Sequence, residues 1–222
     1  HAIKEGLAGD GGLYVPQKFP VLSLEEILAM HSLPYDQCAV KILDYFLTDY
    51  TQEELAECAA AAYAPERFGP DPAPLRKVAG RTDVLELWHG PTMAFKDIAL
   101  QILPRLMTKA QKKTGTDTRI VILAATSGDT GKAALEGFAD VPGTEIIVFY
   151  PEDGVSQVQK LQMVTQTGKN TKVFGIEGNF DDAQRGVKEI FGDAALEQEL
   201  MDSGWVLSSA NSINWGRLAP QI

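Results

Sequence analysis

The sequence predicts an α/β protein: an open, mostly parallel sheet flanked by helices, preceded by a helical N-terminal region. Three observations predict it. Helix starts with capping-box spacing recur in the first 70 residues, short β-branched runs alternate with helical patterns later, and a proline-dense stretch separates the two styles. The 222 residues suit one large domain or two small ones. The expected division is a helical region and linker over 1–75 and an α/β part over 76–222.

The elements follow in order. "SLEEILAM" (23–30) opens with Ser23 and Glu26, and "TQEELAECAAAAY" (51–63) opens with Thr51 and Glu54, both at capping-box spacing. Between them, "AVKILDYFL" (39–47) carries apolar residues at helical intervals. "YAPERFGPDPAPL" (63–75) holds four prolines and reads as a linker. Strands are then expected at "DVLELW" (83–88), "RIVILAA" (119–125), "EIIVFYP" (145–151), "TKVFGIE" (171–177) and "WVLSSA" (205–210). Helices are expected near 94–113, 129–139, 156–167 and 180–200, with Pro104 kinking the first. In such sheets ligands collect at the carboxyl ends of strands, where strand-to-helix turns expose N–H groups.

Composition narrows the function. Hydrophobic residues make up 45% and charged residues 23%, the balance of a folded globular chain. A formal charge of −10 argues against nucleic acid as a partner, although a local cationic pocket for a small anion stays open. No apolar run reaches membrane-span length, and the first residues lack the apolar core of a signal peptide, so a cytoplasmic protein without a membrane partner is expected. Cys38 and Cys58 form no metal-ligand spacing with the three histidines; no metal site and two free thiols are expected. Neither terminus carries a natural start or stop signal, since residue 1 is His and the chain stops within the apolar pattern of "NWGRLAPQI"; a piece of a longer chain is expected.

Three turns carry chemistry. In "HGPTMAFKD" (89–97), Lys96 lies among apolar neighbours where a helix begins, a setting that disfavours an ammonium through desolvation and the helix dipole. Asp97 opposes that effect if it lies close. Such a lysine is either a nucleophile towards carbonyls or a stem covering apolar surface, and His89 is either a base or a hydrogen-bonded structural residue. "ATSGDTGKAA" (125–134) forms an anion cradle at a helix start or a simple capping turn. It is not a nucleotide phosphate loop, because Thr126 and Ala133 stand where that loop needs Gly and Ser or Thr. "SSANSINWGR" (208–217) gathers neutral donors with Arg217, which suits a phosphate or carboxylate or else a helix-start network.

In this order the three stretches resemble pyridoxal-phosphate-dependent threonine synthase, and "GLAGDGGLYVP" (6–16) resembles that family's opening. The resemblance covers nearly the whole chain. It implies the fold of type II pyridoxal 5'-phosphate enzymes and conversion of O-phospho-L-homoserine and water to L-threonine and phosphate. Lys96 matches the lysine that holds the cofactor as a Schiff base, and Asp129 a residue near the cofactor's 3-hydroxyl. Ser127, Gly128 and Thr130 match the loop for the amino-acid carboxylate. Asn211, Ser212, Asn214 and Arg217 fall in the region expected to receive the substrate phosphate. The family's cofactor-phosphate loop follows the "NSIN" helix, so residues 1–222 are expected to lack it and to be inactive alone. "GIEGNFDDA" (175–183) reads as an ordinary strand-to-helix turn. The alternatives are a serine/threonine dehydratase or β-replacement enzyme of the same fold, or a non-catalytic relative.

Overall fold

The structure, a computed structural model, describes residues 1–222 apart from Leu7, Gly9, Gly11 and Thr116. Three of these fall in the 6–16 stretch that resembles the family's opening, so that part of the comparison lies outside the described residues. The chain runs α1 (Ala2–Glu5), α2 (Leu24–Met30), α3 (Tyr35–Phe46), α4 (Gln52–Ala62) and α5 (Pro65–Phe68), then β1 (Leu75–Ala79) and β2 (Thr82–Leu85). There follow α6 (Asp97–Leu100), α7 (Leu103–Lys113), β3 (Arg119–Ala125), α8 (Asp129–Phe138), β4 (Thr144–Pro151) and α9 (Gln157–Val164). The last elements are β5 (Thr171–Ile176), α10 (Phe180–Gly192), α11 (Ala194–Asp202), β6 (Trp205–Ser208) and α12 (Trp215–Leu218).

The helix starts are local events. Ser23, Thr51, Ser156 and Asn179 each accept from the N–H three residues on while that residue's side chain returns to the cap's own N–H. Both orphan donors are met this way. Asn179 caps α10, so the "GNF" segment is the strand-to-helix turn expected of it.

Three expectations are corrected. The run 83–88 does not join the parallel sheet: β2 pairs antiparallel with β1 in a separate, exposed two-stranded hairpin, with Leu75 opposite Leu85. The helix over 94–113 is not kinked at Pro104 but interrupted at Gln101–Ile102. Pro104 then stands in the first turn of α7, where its missing N–H leaves no bond unmade. The 180–200 helix is likewise two, since Asp193 closes α10 and its carboxylate accepts from the N–H groups of Ala195 and Leu196 to start α11.

The main sheet is parallel throughout, in the order β5-β4-β3-β6. The chain steps outward from β3 to β4 to β5 through α8 and α9, then returns through α10 and α11 to lay β6 on the other side of β3. Right-handed crossovers put the two helix pairs on opposite faces. Ile120, Ile122, Ile146 and Val148 bury one face completely, joining Leu103, Leu106, Met107 and the Ala133–Leu135 and Phe138 stripe of α8. The same buried cluster continues through Leu43 and Leu55 of the N-terminal helices. Two phenols fasten those helices to the rest: Tyr50 donates to Leu106 O at 2.8 Å and Tyr63 to Ile98 O at 2.9 Å. Cys38 and Cys58 are free thiols, and no helix among the described residues is long and apolar enough to cross a membrane.

Candidate active site

The reversal of strand order makes β3 and β6 neighbours whose connections leave in different directions. A crevice opens at such a point, beyond the carboxyl ends of the strands. The turn after β3 carries Ser127–Thr130, and the turn after β6 carries Asn211–Asn214.

Lys96 reaches this crevice from a third segment. The 89–97 turn is built around Asp97, which is fully buried and accepts from Thr92 N at 2.8 Å and Thr92 Oγ1 at 2.7 Å. Gly90 lies so close that a Cβ there would sit 2.5 Å from the Asp97 Cβ and Oδ2, which explains the glycine. Met93 takes a positive φ of 59° at the exposed tip. The turn delivers Lys96 to the N-cap of α6, where Nζ donates to Asp129 Oδ2 at 3.0 Å and stands 4.2 Å from the Phe95 ring centroid. The carboxylate facing Lys96 is therefore Asp129, not Asp97. The Lys96 side chain is 17% exposed and that of Asp129 48%, so the pair sits at the mouth of a partly dry site. Burial pushes the Asp97 carboxyl up, and the Thr92 hydrogen bonds oppose the shift.

Asp129 is the first residue of α8, where a carboxylate is favoured by the helix dipole. The preceding turn is organised by Thr126, a residue to which sequence pattern alone gives no role. Its buried hydroxyl accepts from Gly128 N at 3.1 Å and Gly131 N at 3.0 Å and donates to Gly128 O at 3.0 Å. Gly131 is required beside it, since a Cβ there would lie 2.4 Å from Thr126 Cγ2. Ser127 is exposed, Gly128 is buried, and Thr130 is half-buried next to Asp129. Of the first-turn N–H groups of α8, that of Gly131 is taken by Thr126, so those of Asp129 and Thr130 are the donors the turn offers to an anion. Lys132 of the same helix turns away, to Glu136 at 3.2 Å and to Gln166.

The third segment divides into wall and rim. Asn214 is fully buried: its Oδ1 accepts from Gly216 N at 2.9 Å, and its Nδ2 donates to Ile3 O at 2.9 Å. Its amide thus caps α12 and fastens α1, instead of facing a ligand. Ser208 Oγ adds a second tie, to Lys4 O at 2.7 Å. Arg217 is 6% exposed, and Nη1 donates to Ala210 O at 2.8 Å. Burial lowers its ordinarily very high pKa, and the Asp129 charge opposes that shift. Asn211 is half-buried with Oδ1 accepting from Ile213 N at 3.0 Å, and Ser212 is exposed at the rim. His89 stays outside: its Nε2 meets Glu86 Oε2 at 2.7 Å and its ring stacks on Trp88.

The structure thus brings Lys96 to Asp129 and the Ser127–Thr130 turn, with Arg217 buried in the segment that follows β6. Thr126, Thr92 and Asp97 hold that arrangement, and sequence reasoning does not assign them that role. The threonines give no signal beyond their residue type, and Asp97 draws attention to Lys96 because it is adjacent in sequence.

Residues 1–63 match the family described as threonine synthase N terminus. Over 221 residues the chain is 43% identical to threonine synthase of Pseudomonas aeruginosa, covering 98% of this chain and 45% of the relative. It is 40% identical over 230 residues to threonine synthase-like 1 of Homo sapiens, covering all of this chain and 31% of that protein. The crystal structure of PLP-bound threonine synthase from Brucella melitensis superposes with a TM-score of 0.89 at 39% identity, covering 99% of this chain and 46% of that one. The chain therefore spans between about a third and a half of the relatives it matches.

Proposed function

Because this chain belongs to the threonine synthase family, we propose that it supplies the lysine side of a pyridoxal-phosphate site that converts O-phospho-L-homoserine and water to L-threonine and phosphate. The reaction as a whole is proposed for these residues working with the further length that their relatives carry. The observation that carries the reading is the Lys96–Asp129 contact of 3.0 Å in the crevice between β3 and β6.

These residues fit the cofactor on chemical grounds. Lys96 would hold the cofactor through its amine, and Asp129, within hydrogen-bond reach of that nitrogen, would hold a proton beside it. Pyridoxal phosphate, when bound, supplies the electron sink that makes the substrate's carbon-bound protons removable.

The chain's own groups do the rest. The hydroxyls of Ser127 and Thr130 and the free N–H groups at the start of α8 hold the amino-acid carboxylate and fix which proton faces Lys96. The Lys96 amine, left free when the substrate's amino group takes its place, would remove a proton from Cα and one from Cβ as phosphate leaves Cγ, and would return protons to Cγ and Cα as water adds its hydroxyl at Cβ. Arg217, whose Nη1 donates to Ala210 O, shares its segment with Asn211 and Ser212, and this segment is the one proposed to receive the substrate phosphate. Asn214 positions this segment through α1 and α12.

Borohydride reduction of the protein with pyridoxal phosphate, followed by peptide mapping, tests the reading. The cofactor should be fixed on Lys96, and Lys96→Ala should lose both the label and phosphate release from O-phospho-L-homoserine while keeping its fold. A label on Lys132, or label retained by Lys96→Ala, would overturn the assignment.

A further inference from the structure

Helices α4, α5 and α7 and the α8–β4 connection border an open pocket of about 500 Å³ that shares no residue with the Lys96 crevice. Its lining carries four cations, Arg67, Arg105, Lys109 and Lys112, against two carboxylates, Glu57 and Asp140. Both carboxylates are already engaged. Glu57 is paired with Lys109, and Asp140 Oδ1 accepts from Lys169 N at 2.9 Å. Among the described residues, Arg67, Arg105 and Lys112 form no ion pair with any carboxylate.

The two guanidiniums instead converge on one neutral residue. Arg67 Nη1 donates to Gln101 Oε1 at 2.6 Å, and Arg105 Nη1 donates to Gln101 O at 2.6 Å. Gln101 is fully buried, and its Nε2 has no acceptor. Turning the amide over would set its NH₂ against Arg67, so the unmet donor is the consequence of holding that arginine in place. Burial, and then the charge of Arg67, lowers the pKa of Arg105. Two partly buried like charges are thus held together, with no carboxylate in ion-pair contact with either, in a protein of net charge −10. A neutral anchor holds these charges in place; an anion in the pocket would neutralise them.

We propose that this pocket is a second ligand site, which binds a small phosphorylated molecule between Arg67 and Arg105. The planar guanidinium forks match phosphate oxygens two at a time, and Lys112 stands exposed nearby to attract the anion. The volume lies within the range of small-molecule sites and exceeds what inorganic phosphate fills. Cys58 and Val141 supply an apolar wall for the organic part. Burial pushes the Cys58 thiol up to about 11, so it stays neutral and does not compete with the ligand's charge.

Calorimetric titration with inorganic pyrophosphate, at ionic strength fixed with sodium chloride, tests the site. One saturable event is expected that survives Lys96→Ala and weakens by roughly tenfold or more in Arg105→Gln and in Arg67→Gln. Arg105→Lys, which keeps the charge but loses the fork, should fall between the native protein and Arg105→Gln, and it serves if Arg105→Gln fails to fold. No saturable binding, equal binding in both arginine variants, or binding abolished by Lys96→Ala would overturn the proposal. A failure here leaves the Lys96 reading untouched, because borohydride labelling reports on the other crevice.

Discussion

At the scale of single residues, the placement of Lys96 rests on a buried acid that never touches it. Asp97 meets the N–H and hydroxyl of Thr92, itself 7% exposed, and removing it would orphan both donors. Each unsatisfied group costs about 1–3 kcal/mol, so Asp97→Ala should lower stability by several kcal/mol and disorder the turn that aims Lys96. Asp97→Asn should be nearly neutral, since an amide can accept from Thr92 N and donate to Thr92 Oγ1. The pH dependence separates them further. The folded pKa of Asp97 is raised above its ordinary 3.8, so between those two values the folded state keeps a proton that the unfolded chain has lost. Native stability must therefore fall as pH rises through that window, by this group's contribution, and Asp97→Asn should remove that fall. Urea unfolding of both proteins from pH 4 to pH 7 measures it; parallel curves would refute the role given to Asp97. Lys96 was legible in the sequence because a lysine among apolar residues at a helix start is a chemical oddity. Its true partner was not, because Asp129 is brought in by the turn after β3 and only the fold makes them neighbours.

At the scale of elements, α6 and α8 must lie close enough for Lys96 to reach Asp129, and one glycine permits it. A Cβ on Gly137 would stand 2.0 Å from the carbonyl oxygen of Leu100, a backbone atom that cannot swing aside. Replacing a helix-interior glycine by alanine ordinarily gains close to 1 kcal/mol. Gly137→Ala should instead destabilise by about 1–3 kcal/mol, the range for overpacking, and separate the two helices that carry the ion pair. Gly186→Ala in α10 is the control, since a methyl group there would find nothing within 4 Å, and it should stabilise. Thermal unfolding of the pair decides the matter, and a stabilising Gly137→Ala would show that α6 and α8 can part freely. The strands of the parallel sheet were readable because β-branched runs between turn residues have few other uses. The β1–β2 hairpin was not: its strands are short and exposed, and "DVLELW" has the same local pattern whether it joins a sheet or a ribbon. The break at Asp193 was readable in principle, since Gly192–Asp193 is a helix stop followed by a cap.

At the scale of the whole molecule, the question is how much of a cofactor site residues 1–222 hold by themselves. On the function proposed above, Lys96 would supply the covalent contact and the Ser127–Thr130 turn one set of donors, for the substrate carboxylate. The cofactor's dianionic phosphate needs a second nest of N–H groups, because burying it without one forfeits most of the affinity. Of the cationic side chains on the three site segments, Lys96 faces Asp129 and Arg217 is 6% exposed with Nη1 on Ala210 O, so neither stands open to a second phosphate. The net charge of −10 offers no long-range attraction in its place. Residues 1–222 should therefore form the imine only at high cofactor concentration, with an affinity at least about a hundredfold below that of a longer chain carrying the same Lys96, corresponding to roughly 2.7 kcal/mol. Absorbance titration with pyridoxal phosphate, with Lys96→Ala as the blank, measures the difference directly. Comparable micromolar affinity in the two chains would mean that these residues already cradle the phosphate. The free N–H groups at the start of α8 would then be its first candidates, and the substrate carboxylate would need another home.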